Sequence, residues 1–241
     1  MTLLALERVS KSHWRGRHEI VVLDAVSFAL DVGELVAIFG QRAAGKTTLL
    51  RIAAGIEGPD AGSVRFEGQE LGGSRFRRLA GIHPRIGWVG RQGPFASAMR
   101  MLDHVALPLL RSLAADEAER RAARALTRVG AGELADARWH ELSDAERTLV
   151  TIAHAIVREP RLLLADDPTS GLGLEERETV LGLLRSIAEE RGMAILVTVP
   201  EIPDALRSHR VLALGDGELI HATPHPSGEV IAFPQRRDGR A

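Results

Sequence analysis

Between residues 2 and 38 apolar and polar positions alternate with the period of two that marks half-buried strands, in "LLALERVS", "EIVVLDAVSFAL" and "ELVAIF". A "DVG" turn separates the last two segments. The spacing then changes. "TTLLRIAAGI" (47–56) predicts a helix after a glycine-rich turn, "GSVRFEG" (62–68) a strand leaving a "PDAG" turn, and "RIGWVG" (85–90) a further strand. Residues 96–137 predict mostly helix, with "ADEAERRAARALTRV" the clearest amphipathic stretch. A helix "DAERTLVTIAHAIV" (144–157), a strand "RLLLAD", a helix "EERETVLGLLRSIAEER", a strand "MAILVTV" and a hairpin "RVLALGDGELI" follow. Strands alternating with helices predict an α/β fold with a mainly parallel core sheet. The front of the chain predicts an antiparallel β subdomain, and residues of about 92–145 a helical subdomain, within one domain over 2–220. From about His221 the chain is rich in Pro, Gly and polar residues, which predicts a flexible tail over 221–241.

The 241 residues suffice for one large domain, or a core with a subdomain. With 45% hydrophobic and 26% charged residues the mix is that of an ordinary globular protein. A net charge of −1 argues against a nucleic-acid surface spread over the chain. The absence of cysteine excludes disulfides and thiolate metal sites and fits a reducing compartment. No apolar run reaches the ~18 residues that span a bilayer, and Glu7 interrupts the N-terminal apolar patch, so no signal-peptide pattern is seen. The expectation is a cytoplasmic protein. Of 31 basic residues only Lys11 and Lys46 are lysine, so each retained lysine is a position of interest.

"GQRAAGKTT" (40–48) has the spacing G-x-x-x-x-G-K-[ST] and stands between a predicted strand and a predicted helix. Those residues, Gly40, Gln41, Arg42, Ala43, Ala44, Gly45, Lys46, Thr47 and Thr48, predict a phosphate loop. Backbone N–H groups at a helix start face a β-phosphate, Lys46 supplies a point charge, and the Thr47 hydroxyl is a Mg²⁺ ligand. The apolar run "RLLLAD" ends in Asp166 and Asp167. Downstream of a phosphate loop, Asp166 is expected to hold Mg²⁺, and Asp167 to stand where a base or water-positioning group sits. The alternative is that the pair opens a turn before Pro168.

With these motifs in place, the chain resembles the nucleotide-binding subunits of ABC transporters, nearest to the lipoprotein-release and macrolide-export type. The resemblance covers residues 3–220. It is carried by "VSKSHW", "LDAVSFALDVGELVAIFG", "GKTTLLRIAAGIEGPDAGSVRFEG", "RIGWVG", "DHVALPLL", "ELSDAERTLVTIAHAIVREPRLLLADDPTSGL" and "AILVTV". It implies ATP and Mg²⁺ as ligands and a head-to-tail dimer, with an identical or a different ATP-binding subunit. Each ATP is then held by the phosphate loop of one subunit and the signature segment of the other. The implied partner is a membrane-embedded permease contacted through the helical subdomain, which places the chain on the inner face of the cell membrane.

The chain departs from the family at several positions. The family's catalytic glutamate falls at Asp167, one methylene shorter, where misplacement near 1 Å can cost roughly 10²-fold. The switch histidine falls at Val199, which cannot hydrogen-bond a γ-phosphate; one lost donor typically costs about 10²–10³ in rate. The lid glutamine aligns with Arg91, and Gln92 follows, so either residue could face the phosphates. The signature reads Leu142, Ser143, Asp144, Ala145, Glu146. Ser143 and Glu146 have capping-box spacing. Asp144 replaces a glycine that should approach the partner's γ-phosphate, where like charges about 4 Å apart repel by roughly 4 kcal/mol at an effective dielectric near 20. Gly173 stands where the family has a carboxylate. The aromatic at the adenine platform falls at His13, with Trp14 beside it as the alternative. Nucleotide binding is thus expected intact and hydrolysis slow. The competing reading is a catalytically inactive nucleotide-binding subunit that regulates or scaffolds a membrane complex. A P-loop kinase or GTPase is disfavoured for want of an acceptor site or guanine-reading motif.

Overall fold

The computed structural model describes residues 1–71, 83–90 and 98–222. The predicted lid positions Arg91 and Gln92, part of the predicted helical segment, and residues 223–241 of the tail expected over 221–241 lie outside the described residues, while residues 221 and 222 of that tail belong to the last strand, Glu218–Ala222.

The alternation at the front of the chain becomes a four-stranded antiparallel sheet in the order β2-β1-β4-β5. Its strands are β1 (Thr2–Arg15), β2 (His18–Asp31), β4 (Ala61–Phe66) and β5 (Gln69–Leu71). Leu4, Leu6, Val9, Leu23, Val26, Phe28 and Leu30 point inward from it. Lys11 is accounted for here: its Nζ donates to the Gly58 carbonyl at 3.0 Å and to Asp60 Oδ1 at 2.9 Å, tying β1 to the turn before β4. The hydrogen bond to Asp60 holds the Lys11 pKa above its ordinary value.

The second sheet has six strands in the order β10-β9-β3-β8-β7-β6. They are β3 (Leu35–Phe39), β6 (Ile86–Val89), β7 (Leu162–Asp166), β8 (Ala194–Val199), β9 (Arg210–Gly215) and β10 (Glu218–Ala222). Pairings β3·β8, β3·β9, β6·β7 and β7·β8 are parallel, and β10 closes one edge as an antiparallel hairpin with β9. Every residue of β7 and β8 is buried. Continuous apolar runs of this kind are what a parallel sheet needs when both faces are covered.

Successive residues of these strands serve two cores. Leu162, Leu164, Ala194 and Leu196 pack with the antiparallel sheet and with α1 (Lys46–Ala53). Leu163, Ala165, Ile195, Val197 and Val199 pack with a helical layer. That layer contains α2 (Met101–Ala106), α3 (Ala115–Arg128), α4 (Asp144–Ile156) and α5 (Leu174–Arg191), and a single turn, α6 (Ile202–Ala205), follows β8. The fold is the α/β arrangement expected, with the short elements β5 and α6 added. α4 runs unbroken through residue 145, where the helical subdomain was expected to end. It lies close on β6: a Cβ at Gly87 would stand 2.6 Å from the Ala155 carbonyl oxygen.

Candidate active site

β3 ends at Phe39 and α1 starts at Lys46, so the loop 40–45 leaves the carboxyl edge of the parallel sheet, where α/β folds place their ligands. Two glycines fix its path. A Cβ on Gly40 would stand 2.4 Å from the Leu214 carbonyl oxygen, and one on Gly45 2.8 Å from that of Val22. Gly45 also has φ 98°, in the left-handed region, at the N-cap of α1. Ala43 adopts φ 66° as well, which bends the loop at the cost of some strain. Lys46 Nζ donates to the Gly40 carbonyl at 2.5 Å and to the Gln41 carbonyl at 2.9 Å. Burial pushes its pKa down, against the opposing fields of Asp167 and Asp166.

Beside α1, the end of β7 brings in the carboxylates. The Thr47 hydroxyl lies 2.9 and 3.1 Å from the two Asp166 oxygens. Thr198, at the paired position on β8, donates its hydroxyl to Asp166 Oδ1 at 3.0 Å and accepts the Asp167 N–H at 2.9 Å. Thr47, Asp166, Thr198 and Asp167 therefore form one connected polar cluster. Asp167 turns the chain out of the strand with φ 52°, a left-handed conformation that Asp and Asn adopt more readily than most residues.

A cavity of about 420 Å³ opens over this cluster. Arg42, Ala43 and the residues Gly45, Lys46, Thr47 and Thr48 border it, with Asp166, Asp167 and Ser170, and with Pro200 just past the end of β8. Of the two residues considered for the adenine platform, His13 bounds the cavity, whereas Trp14 does not and is 69% exposed. Val199, at the position of the family's switch histidine, is fully buried in the helical-layer core, and its neighbour Pro200 is the residue that reaches the cavity. Asp167 also borders a second cavity of about 500 Å³, shared with Trp139, Asp144, Arg147 and Thr148.

The signature residues lie at the start of α4. Leu142 is buried. Ser143 Oγ accepts the Glu146 N–H at 3.3 Å and Glu146 Oε2 accepts the Ser143 N–H at 2.7 Å, which is the capping box its spacing predicted. Those hydrogen bonds hold the Glu146 carboxyl below the usual range. Asp144 is largely exposed and its Oδ1 accepts from Arg147 Nη1 at 3.0 Å. Arg147 in turn donates to the Trp139 carbonyl at 3.2 Å and lies 5.6 Å from the centre of the Trp139 ring. Sequence reasoning missed Arg147. The i, i+3 spacing from Asp144 was the available signal. Its effect is to offset part of the repulsion expected from Asp144.

Among the described residues no group of three or more His, Cys, Asp or Glu could hold a metal ion, and no helix is long and apolar enough to cross a membrane. The oxygen pair of Thr47 and Asp166 fits Mg²⁺ in another way, because that ion commonly takes one or two protein oxygens and completes its shell with water and substrate phosphates.

Comparison with known proteins adds four findings. The family model described as ABC transporter matches residues 23–170. The uncharacterized ABC transporter ATP-binding protein YknY of Bacillus subtilis is 32% identical over 227 residues, covering 92% of this chain and 96% of YknY. The lipoprotein-releasing system ATP-binding protein LolD of Chromohalobacter salexigens is 33% identical over 219 residues, covering 90% of this chain and 92% of LolD. Among solved structures, the dimeric post-hydrolysis state of the ATP-binding cassette MJ0796, bound to ADP and Pi, superimposes with a TM-score of 0.81 at 27% identity. It covers 90% of this chain and 96% of that one.

Proposed function

The chain belongs to the ABC transporter family as an ATP-binding subunit, and on that premise we propose that it binds Mg-ATP in the 420 Å³ cavity and hydrolyses it slowly to drive a membrane-embedded permease. The observation that carries this reading is the cluster joining Thr47, Asp166, Thr198 and Asp167 under the phosphate loop. Triphosphate oxygens take the N–H groups at the start of α1 and the Lys46 ammonium, which exchanges its bonds to the Gly40 and Gln41 carbonyls for them. Thr47 and Asp166 hold Mg²⁺, which when bound neutralises charge on the β- and γ-phosphates. His13 offers the adenine a flat ring. Asp167 accepts the proton of the attacking water, and its short side chain keeps it at the far end of useful reach.

The signature face of one subunit, Ser143 to Glu146, meets the nucleotide of a second ATP-binding subunit, identical or different. The dimeric cassette MJ0796 supports such an assembly. The site is on the cytoplasmic side of the membrane. A second reading, a nucleotide-gated subunit without turnover, is favoured by the buried Val199 and by the carboxylate at Asp144.

Steady-state turnover separates the two. Asp167→Asn keeps the backbone conformation and removes the base. Under the first reading it lowers the ATP turnover of the purified chain by about 10²-fold at unchanged ATP affinity. Turnover absent from both proteins, with ATP still bound and the chain dimeric by sedimentation, would favour the second reading.

A further inference from the structure

A larger hollow, about 550 Å³, opens away from the phosphate loop. Arg161 precedes β7 and Met193 precedes β8, and both border it, so it lies at the amino edge of the parallel sheet, opposite the edge that carries Asp166 and Pro200. Five guanidiniums line it: Arg121, Arg124 and Arg128 from α3, Arg161, and Arg191 at the end of α5. Among the described residues the only carboxylate in its wall is Glu159.

The neighbouring acids do not balance this charge. Glu117 is shared by Arg120, Arg121 and Arg124, at 3.0, 2.9 and 3.6 Å. Glu190 pairs with Arg128 at 3.0 Å and Glu159 with Arg191 at 3.1 Å. Arg161 has no carboxylate partner among the described residues. Arginine is common throughout this chain; what distinguishes these five is their convergence from separate elements on one concave space. Its floor is apolar, formed by Ile156, Ile187 and Met193.

Guanidinium forks match phosphate oxygens in pairs, and a cavity of this size suits a small organic ligand. We propose that the hollow binds a small phosphate ester of about nucleotide size, with its phosphates on Arg124, Arg128 and Arg161 and its body on the apolar floor. The site is separate from the nucleotide cavity, and the inference does not depend on the function proposed above.

The test uses inorganic tripolyphosphate, titrated calorimetrically at low salt into the full chain carrying Lys46→Ala, which silences the phosphate loop. One equivalent is expected to bind. Adding Arg124→Gln and Arg161→Gln should weaken that binding at least tenfold; the Arg124 side chain is 70% exposed and Arg161 has no carboxylate partner among the described residues, so both changes should leave the fold intact, which an unchanged denaturation midpoint checks. A control pair on the antiparallel sheet, Arg15→Gln with Arg65→Gln, should leave it unchanged. No binding to the Lys46→Ala chain overturns the proposal. So does a loss of equal size in the control pair, which would mean diffuse attraction to an arginine-rich surface. Tighter binding of a hexaglutamate peptide than of tripolyphosphate would also overturn it, in favour of an acidic segment. With Lys46 intact, ATP turnover of the Arg124→Gln, Arg161→Gln protein should match the parent, so failure here and failure of the ATPase reading are distinguishable.

Discussion

Single residues separate into those that hold the nucleotide site and those that strain the protein under acid. Lys46 belongs to the first group. Lys46→Ala removes the only ammonium at the phosphate loop and should abolish ATP binding by calorimetry; unchanged affinity would overturn the assignment of the loop. His154 on α4 belongs to the second. Burial, and next the charge of nearby His104, push its pKa down to about 4. In the unfolded chain it titrates near 6.5. Between these values the unfolded state takes up a proton that the native state refuses, so stability is lost as pH falls through this window. The loss reaches about 3 kcal/mol at most by pH 4. Denaturant unfolding of His154→Gln should show a shallower fall from pH 7 to pH 4 than the parent; parallel curves would exclude His154 as the source.

At the level of elements, the helix α4 carries the signature and packs on β6 through Gly87. Gly87→Ala would press a methyl group against the Ala155 carbonyl and should cost about 1–3 kcal/mol of stability, read as a drop in denaturation midpoint. The alternating runs of β1 and β2, the apolar runs of β7 and β8 and the capping box at Ser143 were legible in the sequence, because each is a local pattern with a fixed period or spacing. β5 and α6 were not, since three or four residues are too few to show a period. The phosphate loop and both aspartates were legible as motifs. The Thr198 bridge was not: it joins residues 32 positions apart, and nothing local marks a threonine in a buried strand as a partner for a carboxylate. The same holds for the choice between His13 and Trp14, which depends on the pairing of β1 with β2 rather than on either residue's chemistry.

For the whole molecule, a composite site made from two subunits predicts kinetics that a single chain cannot show. ATP turnover per chain should rise with protein concentration until the dimer is saturated. Turnover per chain independent of concentration over a hundredfold range would point to a preformed dimer or to a monomer active by itself, and sedimentation of the same samples distinguishes these. Asp144→Gly removes the carboxylate from the signature face and should shift ATP-dependent dimerisation to lower protein concentration. Arg147 already offsets part of that charge, so the gain should stay below the roughly 4 kcal/mol of an uncompensated contact. A dimer unaffected by the substitution would show that the Asp144–Arg147 pair has made this position neutral.

The Thr198 hydroxyl owns a single proton, and it is spent on Asp166 while its lone pair receives the Asp167 N–H. It thereby joins the carboxylate of one aspartate to the backbone of the next. A cation held by Asp166 would compete with this hydroxyl for the carboxylate, at the side chain on which the Asp167 N–H also rests. Two residues on from Thr198, just past the end of β8, Pro200 forms part of the cavity wall. One threonine thus couples the two carboxylate positions, and Thr198→Val would part them while leaving the strand apolar and the same size.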